Sequence, residues 1–453
     1  MAMPDIAGGR TAILGTGKEG QAAWRHLRSV QPDIQLTLVD EAQPGQAFCE
    51  QLGDHDELLI GPLSEARLEK FDVLIRSPGI SPYRESIQRA VAAGVVLTSP
   101  SNLWFAAHQG EKTICVTGTK GKSTTSALLA HMLRACGYRV RRAGNIGQPL
   151  LGCEGEDIDW WVIELSSYQL ADLEASPTVS VILNLSPEHL DWHGNEENYR
   201  RDKLRLAELA GQNSLITNAA DPLLKENFSG RAGTCWFNDR HGFHVEGKRL
   251  LHGTDEWEIE MPEGLPGSHN LSNVAAALAV IQNIGGDLHA AGSSVAGFRA
   301  LSHRLQLLGE QSGLRFIDDS ISSAPVATLA ALEALPDSNV TLIVGGLDRG
   351  VDWTPYMPRM GESLPAAVIA LPDNGPVIVD CLRAAGIRPP GGMHLVADMA
   401  EAVLLARKLS RAGGVVLLSP GAPSFPHFRD YRDRGCQFAR LCGFEPDESG
   451  LER

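Results

Sequence analysis

A short glycine-rich run between two regular segments has the residue types that hold nucleotide phosphates. The run is Gly118-Thr119-Lys120-Gly121-Lys122-Ser123-Thr124, between an apolar stretch and a segment with helical periodicity. Backbone amides at such a turn bind phosphate oxygens, a lysine reaches the terminal phosphates, and a hydroxyl can ligate Mg²⁺. The first glycine of the usual, longer loop would fall at Val116. We therefore predict a shortened ATP-type loop, and the flanking segments disfavour a plain glycine turn.

Carboxylate and imidazole side chains follow two later apolar stretches and could serve a metal ion. Glu164 ends the first of these stretches, and His189, Asp191 and His193 alternate after the second. Oxygen-rich ligands beside a phosphate loop are typical of Mg²⁺, and zinc is disfavoured because no cysteine lies close in the sequence. The pattern predicts a magnesium site, with helix capping as the alternative role of Glu164.

A second glycine pattern stands near the N-terminus. It is Gly15-Thr16-Gly17-Lys18-Glu19-Gly20, between a predicted strand and a predicted helix, and Asp40 follows about 20 residues later. Glycines there let amides approach a pyrophosphate, so the pattern fits a nucleotide diphosphate, including the dinucleotide of an oxidoreductase. A glycine turn that serves only packing is the alternative. Ser77-Pro78-Gly79-Ile80, after another predicted strand, could complete the same crevice.

The motifs must be positioned by regular secondary structure. Along the chain, short β-branched stretches alternate with segments of helical periodicity. This alternation predicts an α/β protein with parallel sheets and ligand sites at the carboxyl ends of the strands. The pattern breaks at 102–110 and again near Leu308, and we place domain boundaries there. The predicted strands are 11–14, 35–39, 73–75, 95–97, 113–116, 160–163, 179–183, 314–317, 341–344, 366–370 and 415–418, and the predicted helices are 21–30, 125–133 and 273–284.

Length, composition and charge limit the classes of protein to consider. The chain has 453 residues, 43% of them hydrophobic, and at about 150 residues per domain this suggests about three domains. Its net charge of −15 argues against general binding to nucleic acid or anionic membranes. The sequence lacks a secretory signal pattern and a run of about 18 apolar residues, so we expect a cytoplasmic protein. Eight cysteines are scattered singly, which favours reduced thiols over a disulfide framework.

Together, the motifs resemble those of the Mur ligases, which use ATP to add amino acids to the peptide stem of peptidoglycan precursors. The matching runs occur in the family's order and cover nearly the whole chain. ELSSYQL (164–170), EHLDWHG (188–194) and the ending DYRDRGCQFARL (430–441) are most similar to the glutamate-adding, MurD-type branch. The other matching runs are GTKGKST (118–124), GNIG (144–147), NLSPEHLDWHG (184–194), SHNLSN (268–273), HR (303–304), DDS (318–320) and LSPGAPSF (418–425).

The resemblance implies one domain for each substrate. Residues 1–108 would form a Rossmann-like domain for a UDP-sugar, 109–307 a phosphate-loop ATPase with a mostly parallel sheet, and 308–453 a Rossmann-like domain for the amino acid. The first glycine pattern would then bind the uridine diphosphate of UDP-N-acetylmuramoyl-L-alanine, and nicotinamide is unnecessary. The implied contacts to this substrate are Gly15, Thr16, Gly17, Lys18, Asp40, Ser77, Gly79, Asn145 and His189.

The resemblance also implies the reaction. ATP would phosphorylate the substrate carboxylate, and the amine of glutamate would attack the acyl phosphate, with release of ADP and phosphate. Two Mg²⁺ ions and a lysine carbamylated by CO₂ would support this step, and Lys203 matches that lysine, although the residues alone favour a solvated surface lysine. The implied catalytic set is Lys122, Glu164, His189 and Lys203, and the implied metal set is Ser123, Glu164, His189 and carbamylated Lys203. ATP would contact Gly118, Thr119, Lys120, Gly121, Lys122, Ser123, Thr124, Asn273, Arg304 and Asp319.

Two stretches depart from the family pattern. Lys120 stands where the family usually has asparagine, which adds a cation beside the phosphates. In the region expected to bind the amino-acid acceptor, the family motif DSKATN is replaced by Asp319-Ser320-Ile321-Ser322-Ser323-Ala324. Arg349 stands where the family has a lysine, and its planar guanidinium can form two parallel hydrogen bonds to a carboxylate. These changes resemble a smaller offshoot that adds L-glutamate and works with an epimerase, so we predict L-glutamate as acceptor, with D-glutamate as the alternative. The implied acceptor contacts are Ser320, Ser322, Arg349, Ser424 and Tyr431.

Two other functional classes stay open at this level. A folylpolyglutamate synthetase shares the central and third domains but does not begin with a glycine pattern of this kind. A non-catalytic nucleotide-binding module would have no need for Glu164, His189 and Lys203 together. The expected ligands are small molecules, and neither nucleic acid nor a membrane is an expected partner.

Overall fold

The computed structural model describes residues 9–145, 149–153, 155, 157–262, 265, 268–299, 302–335 and 339–446. Within these ranges the chain forms three large, mainly parallel sheets surrounded by helices, and one small antiparallel sheet. This architecture confirms the predicted α/β class. The described chain divides into two compact units, the first with two of the large sheets and the second with the third. Ile146 and Gly147 of the GNIG run lie outside the described residues.

The first sheet has five parallel strands. These are β1 (Thr11–Leu14), β2 (Leu36–Asp40), β3 (Asp56–Ile60), β4 (Val73–Arg76) and β5 (Val96–Thr98), and the helices are α1 (Lys18–Val30), α2 (Gln46–Cys49), α3 (Glu85–Ala92) and α4 (Pro100–Ala107). The spatial order is β3-β2-β1-β4-β5. The strand order therefore reverses at β1, with β2 and β3 on one side of it and β4 and β5 on the other. The glycine loop after β1 lies at this reversal point, where open α/β sheets bind ligands.

The second sheet has six parallel strands and belongs to the same unit. These are β6 (Thr113–Thr117), β7 (Val140–Gly144), β8 (Trp160–Glu164), β9 (Val179–Ile182), β10 (Leu215–Asn218) and β11 (Cys235–Phe237), in the order β11-β10-β9-β6-β8-β7. The central strands read as continuous apolar runs because helices cover both faces of the sheet. Since β9, β6 and β8 are neighbours, the loops at their carboxyl ends are brought together.

Seven helices and a small sheet accompany this second sheet. The helices are α5 (Lys122–Ala135), α6 (Ser167–Leu170), α7 (Leu190–His193), α8 (Glu196–Glu208), α9 (Pro222–Phe228), α10 (Ser268–Asn283) and α11 (Leu288–Ser294). The small antiparallel sheet consists of β12 (Phe243–Glu246), β13 (Arg249–His252) and β14 (Asp255–Trp257). No sequence pattern predicts this sheet, because its strands are only three or four residues long.

The third sheet lies in the second unit. Its strands are β15 (Gln306–Gln311), β16 (Leu314–Asp318), β17 (Val340–Gly346), β18 (Ala367–Asp373), β19 (Met393–Leu395) and β20 (Val415–Leu418), in the order β15-β16-β20-β17-β18-β19. The helices are α12 (Pro325–Glu333), α13 (Met357–Glu362), α14 (Gly375–Ala384), α15 (Met399–Leu409) and α16 (Tyr431–Leu441). Only the edge strand β15 runs antiparallel to its neighbour. A buried apolar cluster covers each face of this sheet.

The predicted break at 102–110 is wrong in one respect, because helix α4 occupies most of it. Ser99 caps this helix by accepting a hydrogen bond from the amide of Asn102, and Pro100 fits its first turn. Trp104 is fully buried and packs edge-to-face on Trp161 of β8 at 5.0 Å between ring centres. Helical periodicity is weak here because the first five residues are all buried. The domain boundaries at 108/109 and 307/308 stay predictions.

Candidate functional site

The glycine run at 118–124 forms a tight loop between β6 and α5, as predicted. Gly121 has φ +85°, and a Cβ atom there would stand 2.7 Å from Oδ1 of Asn273. A Cβ atom at Gly118 would stand 2.9 Å from the Cβ atom of Leu183. Both positions therefore require glycine, and Asn273 of α10 lies against the loop.

Residues 184–186, which follow β9, form hydrogen bonds with this loop, most of them to its main chain. The amide of Thr119 donates to the carbonyl of Asn184 at 3.0 Å, and the amide of Lys120 donates to Oδ1 of Asn184 at 2.8 Å. Nδ2 of Asn184 donates back to the Lys120 carbonyl at 3.0 Å, and the Thr119 hydroxyl donates to the Ser186 carbonyl at 3.0 Å. Two loop amides are thus already engaged in hydrogen bonds within the protein, and the start of α5 offers the positive end of the helix dipole to phosphate.

Two lysines of the loop place their ammonium groups differently. Nζ of Lys122 donates to the carbonyls of Gly118 at 2.9 Å and Thr119 at 3.0 Å, so this side chain folds over the loop. Nζ of Lys120 forms an ion pair with Oε1 of Glu188 at 2.5 Å. Both cations lie at the N-terminus of α5, where an anion is also favoured by the helix dipole.

Glu164 ends β8 beside the loop and is 1% exposed. Nδ2 of Asn145 donates to its Oε1 atom at 3.0 Å, whereas Oε2 is buried without a partner among the described residues. A buried carboxylate oxygen needs a cation or a donor, since an unpaired one is costly. Its capping role is not observed, because Ser166 caps the next helix, α6. The free oxygen therefore fits a metal ion.

Lys203 lies on α8 and is buried, at 2% exposed, which overturns the interpretation as a solvated surface lysine. Its Nζ atom donates to the Gly118 carbonyl at 2.7 Å and to Oγ1 of Thr117 at 3.3 Å. Burial, with the nearby Lys122 ammonium as a second cause, holds the pKa of Lys203 well below its usual value. The amine therefore lies directly beneath the phosphate loop, in surroundings that disfavour its charged form.

The two histidines of the EHLDWHG run have different environments. His189 has φ +55° at the start of α7, its side chain is about half exposed, and its Nε2 atom lies 4.0 Å from Oε2 of Glu188. Burial lowers its pKa, which favours the neutral ring that a metal ion binds. His193 is fully buried and uses both ring nitrogens, with Oδ2 of Asp202 at 2.7 Å and Oγ of Ser167 at 3.0 Å.

Side chains from the first sheet complete these surroundings, and the sequence analysis missed them. The Tyr83 hydroxyl donates to Oδ1 of Asp202 at 2.6 Å. Arg76, fully buried, forms an ion pair with Asp172 at 2.8 Å and donates to the Tyr168 carbonyl at 2.8 Å. These contacts join residues far apart in the chain, so no local pattern could have marked them.

The glycine loop after β1 is held by two of its predicted substrate contacts. Oδ2 of Asp40 accepts hydrogen bonds from the Thr16 amide at 2.5 Å and the Thr16 hydroxyl at 2.6 Å. The Ser77 hydroxyl, 7% exposed, donates to the Gly15 carbonyl at 3.0 Å. Asp40 and Ser77 therefore shape the loop, and Gly17 and Lys18 are its exposed members.

In the second unit, Asp319 is 3% exposed and saturated with hydrogen bonds. It accepts from the hydroxyls of Ser322 at 2.5 Å and Ser419 at 2.7 Å, and burial raises its pKa to about 6. Ser320 is fully buried, and its hydroxyl donates to the Tyr431 carbonyl at 2.8 Å. The side chains of Asp319, Ser320 and Ser322, which are predicted ligand contacts, are thus buried and hydrogen-bonded within the protein.

The remaining acceptor candidates are more accessible. Arg349 is exposed after β17, Tyr431 is partly exposed at the start of α16, and Ser424 is 9% exposed. Arg434, missed by the sequence analysis and 1% exposed, ties the surrounding loops by donating to the carbonyls of Ala422 at 3.0 Å and Ser320 at 2.7 Å. Arg304 has a buried Nε atom without a partner among the described residues, so its guanidinium could accommodate an anion.

Several general features of the described chain bear on the predictions. All eight cysteines are free thiols. No described helix is both long and apolar enough to cross a membrane. In the same part of the chain, no group of three or more His, Cys, Asp and Glu side chains is placed to hold a metal by itself. A metal near Glu164 would therefore need ligands of other kinds.

Three family descriptions match consecutive parts of this chain. The Mur ligase MurD-like N-terminal domain matches residues 9–99, the Mur ligase middle domain matches 116–281, and the Mur ligase glutamate ligase domain matches 303–421. The matches cover all three large sheets.

Several relatives that match nearly the whole chain have the same name. A UDP-N-acetylmuramoyl-L-alanine--L-glutamate ligase of Xylella fastidiosa (strain Temecula1) is 44% identical, over 99% of this chain and 98% of that protein. Proteins with this name from Xanthomonas oryzae pv. oryzae and a Micromonospora species are 41% and 38% identical, over 98% and 97% of this chain and 97% of each relative.

Solved structures share the fold at lower identity. The UDP-N-acetylmuramate-alanine ligase MurC of Thermotoga maritima has a TM-score of 0.59 at 18% identity, over 96% of this chain and 99% of that chain. The MurF ligase of Thermotoga maritima, solved in complex with ADP, has a TM-score of 0.59 at 15% identity, over 97% and 98%.

Proposed function

The chain belongs to the Mur ligase family, and from this membership we propose that it joins L-glutamate to UDP-N-acetylmuramoyl-L-alanine with consumption of ATP. The products would be the extended UDP-sugar peptide, ADP and phosphate. Relatives that match nearly the whole chain carry the name of this ligase, and the name specifies L-glutamate. The alternative acceptor is D-glutamate.

One observation carries the proposal. Beneath the phosphate loop, the fold buries Lys203 with its Nζ atom 2.7 Å from the Gly118 carbonyl. Beside the loop it buries Glu164 with one carboxylate oxygen that has no partner among the described residues. A protein that only bound nucleotide would have no need of these two groups. Their position favours chemistry on the phosphates.

The first chemical step would transfer the γ-phosphoryl group of ATP to the terminal carboxylate of the UDP-sugar substrate. Two anions must meet, so the site has to neutralise charge and align the reactants. Lys122 and the amides at the start of α5 would hold the phosphates, and Asn273, which lies against Gly121, would contact the adenine. We propose ribose and phosphate contacts for Asp319 and Arg304, respectively.

Four side chains would hold Mg²⁺ in this site. They are Ser123, Glu164, His189 and Lys203 in its carbamylated form, and the unpartnered oxygen of Glu164 and the lowered pKa of His189 support their fit. When bound, Mg²⁺ ions supply positive charge between the two reacting anions.

Carbamylation would give Lys203 its ligand group. The neutral amine nitrogen would form a bond to the carbon of CO₂ and lose one proton to solvent, which leaves a carboxylate on the side chain. This step needs the uncharged amine, and burial favours that form by lowering the pKa of Lys203. The nearby Lys122 ammonium and the metal ions would stabilise the new negative charge.

The second step would be attack of the glutamate amine on the acyl phosphate, with phosphate as the leaving group. Arg349 would pair with an acceptor carboxylate, and Ser424 and Tyr431 would line the same pocket. A planar guanidinium binds a carboxylate through two parallel hydrogen bonds, which fixes its orientation more strongly than a lysine does. This difference supports a change of acceptor stereochemistry relative to the D-glutamate-adding enzymes.

The proposed cellular role follows from the substrates. The reaction would be a step of peptidoglycan precursor synthesis in the cytoplasm, and an epimerase would act on the product if L-glutamate is added. The UDP moiety would lie at the loop after β1, with Gly17 and Lys18 as its accessible contacts. Asn145, which is exposed and bound to Glu164, would contact the reacting end of the same substrate.

The experiment is an assay of phosphate release with UDP-N-acetylmuramoyl-L-alanine, ATP, Mg²⁺ and one glutamate enantiomer at a time. We expect at least about tenfold faster turnover with L-glutamate, since a misplaced carboxylate loses a charged hydrogen bond worth about 1.5–3 kcal/mol. Faster turnover with D-glutamate would contradict the acceptor assignment alone. Absence of turnover with both enantiomers would contradict the ligase itself, and omission of the UDP-sugar is the blank.

A further inference from the structure

Lys120 is a cation of the phosphate loop that the proposed function leaves without a defined part. Its main chain is fully engaged, because Asn184 accepts from its amide at 2.8 Å and donates to its carbonyl at 3.0 Å. Only the side chain is left to act on a ligand. That side chain is 57% exposed, and its ammonium contacts Oε1 of Glu188 at 2.5 Å.

Glu188 comes from the same segment that grips the loop, four residues after Asn184. Its side chain is 28% exposed, and its second oxygen lies 4.0 Å from Nε2 of His189. A partly exposed ion pair contributes little net stability, because water and salt compete with it. A nucleotide phosphate carries more charge and more acceptor oxygens than a carboxylate, so it is a strong rival for the same ammonium.

From this geometry we propose that Glu188 and a nucleotide phosphate compete for the Lys120 ammonium, so that Glu188 sets how tightly the loop binds nucleotide. Asn184 keeps the loop backbone in place whichever partner the ammonium has. Lys120 is then a phosphate-binding residue, and Glu188 is a positioning residue that weakens nucleotide binding. The inference rests on the proposed function, since it requires ADP and ATP to bind at this loop.

The test measures the dissociation constant of ADP by titration calorimetry in buffer with EDTA, which removes any contribution of a metal near Glu188. We expect Glu188→Gln to lower this constant up to about fivefold, because the ammonium no longer has a charged rival. We expect Lys120→Gln to raise it about tenfold, through loss of a charge-assisted contact. In the Lys120→Gln background, Glu188→Gln should change the constant less than about twofold, since the competition has disappeared.

The control is Asp159→Asn, which also removes one negative charge. Asp159 pairs with Arg139 at the surface at 3.2 Å and precedes β8, at the end of the sheet opposite the loop. This variant should leave the ADP constant unchanged, which separates local competition from the general effect of net charge. An unchanged or raised constant in Glu188→Gln, or an equal gain with and without Lys120, would overturn the inference. Absence of ADP binding in the unaltered protein would instead contradict the proposed function.

Discussion

Lys203 differs from an ordinary lysine in two respects, its burial and its lowered pKa. The helix that carries it is well defined, because Asn195 caps α8 by accepting from the Asn198 amide at 2.8 Å, and Glu196 and Glu197 favour its N-terminus. No described carboxylate forms an ion pair with its Nζ atom, which donates to a hydroxyl and a carbonyl and lies 5.9 Å from the centre of the Tyr199 ring. The fold therefore buries this amine without a counter-charge in direct contact.

Lys203→Ala should lower the rate of phosphate release at least about hundredfold, because the variant cannot form the proposed carbamate that would support the metal. Added acetate or formate should restore part of the activity by supplying a small carboxylate in the vacated space. Lys225→Ala, at an exposed position on α9, is the control and should keep the full rate. Unaltered activity of Lys203→Ala would contradict the carbamate assignment.

Glu19 is a second single residue with an unusual environment. It follows Lys18 in the first turn of α1, and burial raises its pKa to about 7. Because the native pKa lies above the unfolded value of about 4.5, the native state keeps a proton between these two pH values that the unfolded chain has lost. Stability is therefore lost as the pH rises through about 7.

The consequence can be measured with Glu19→Gln, which cannot ionise. Relative to this variant, the unaltered protein should lose about 1–2 kcal/mol of unfolding free energy between pH 5 and pH 8, which allows for the partial exposure of the carboxyl. Urea unfolding at both pH values provides the comparison. Parallel pH dependence of the two proteins would show that Glu19 titrates normally.

At the level of elements, α7 and α8 are joined to the first sheet through buried polar groups. Asp202 accepts hydrogen bonds from the Tyr83 hydroxyl at 2.6 Å and pairs with His193 at 2.7 Å. The Ser81 hydroxyl also donates to the Trp192 carbonyl at 2.6 Å. These contacts hold α8, and with it Lys203, against residues that follow β4.

Asp202→Ala should reduce the unfolding free energy by about 3 kcal/mol, since it leaves buried His193 and Tyr83 without their partner. Tyr83→Phe removes the hydrogen bond to Asp202 and a more exposed one that Arg201 donates to the Tyr83 hydroxyl at 3.0 Å, and it should cost about 1 kcal/mol. The double variant should lose less than the sum, because both changes break the same contact. Tyr138→Phe, in the same unit, is the control for urea unfolding and should be nearly neutral.

Local patterns predicted the elements that carry their own signal. Strand β20 has the predicted limits, Val415–Leu418, because a β-branched apolar run is bounded by glycines and by a proline turn. Helix α5 begins at Lys122, three residues before the predicted start, because the loop glycine Gly121 serves as its N-cap. Glu164 and the phosphate loop were recognisable since each directly follows an apolar strand.

The rest of the site depends on tertiary contacts that no local pattern encodes. The sequence around Lys203 is polar, and only the packing of α8 under β6 turns that side chain inward. Tyr83 and Asp202 are separated by 119 residues. Ser320 and Asp319 stay predicted ligand contacts, and the sequence did not indicate that both side chains would be buried in hydrogen bonds within their own unit. Side-chain type alone does not tell a ligand contact from a structural one.

On the scale of the whole molecule, the reactivity of the cysteine thiols tests both their burial and the expected absence of disulfides. Cys115, Cys153 and Cys442 are buried, and burial raises their pKa values, to about 12 for Cys442. Since the thiolate is the reactive form, these three should resist a thiol reagent such as DTNB at pH 8 in the native protein. All eight thiols should react after unfolding in urea without reductant. A smaller number would reveal a disulfide.

The net charge of −15 is also a property of the whole molecule. Lys120 and Lys122 provide positive potential at one loop of an otherwise acidic molecule, so anionic substrates depend on a few local groups rather than on a basic surface. Each loop cation therefore has a larger share in substrate affinity than it would have on a basic protein.

The hydrogen bonds between Asn184 and position 120 also have an evolutionary consequence. Both use only the main chain of Lys120, so the shape of the loop does not depend on the side chain at this position. Mutation can therefore exchange a neutral residue for a cation there without a penalty in folding, and selection can act on nucleotide affinity alone. Compensating substitutions would be expected at position 188, so that the residues at positions 120 and 188 co-vary among related proteins.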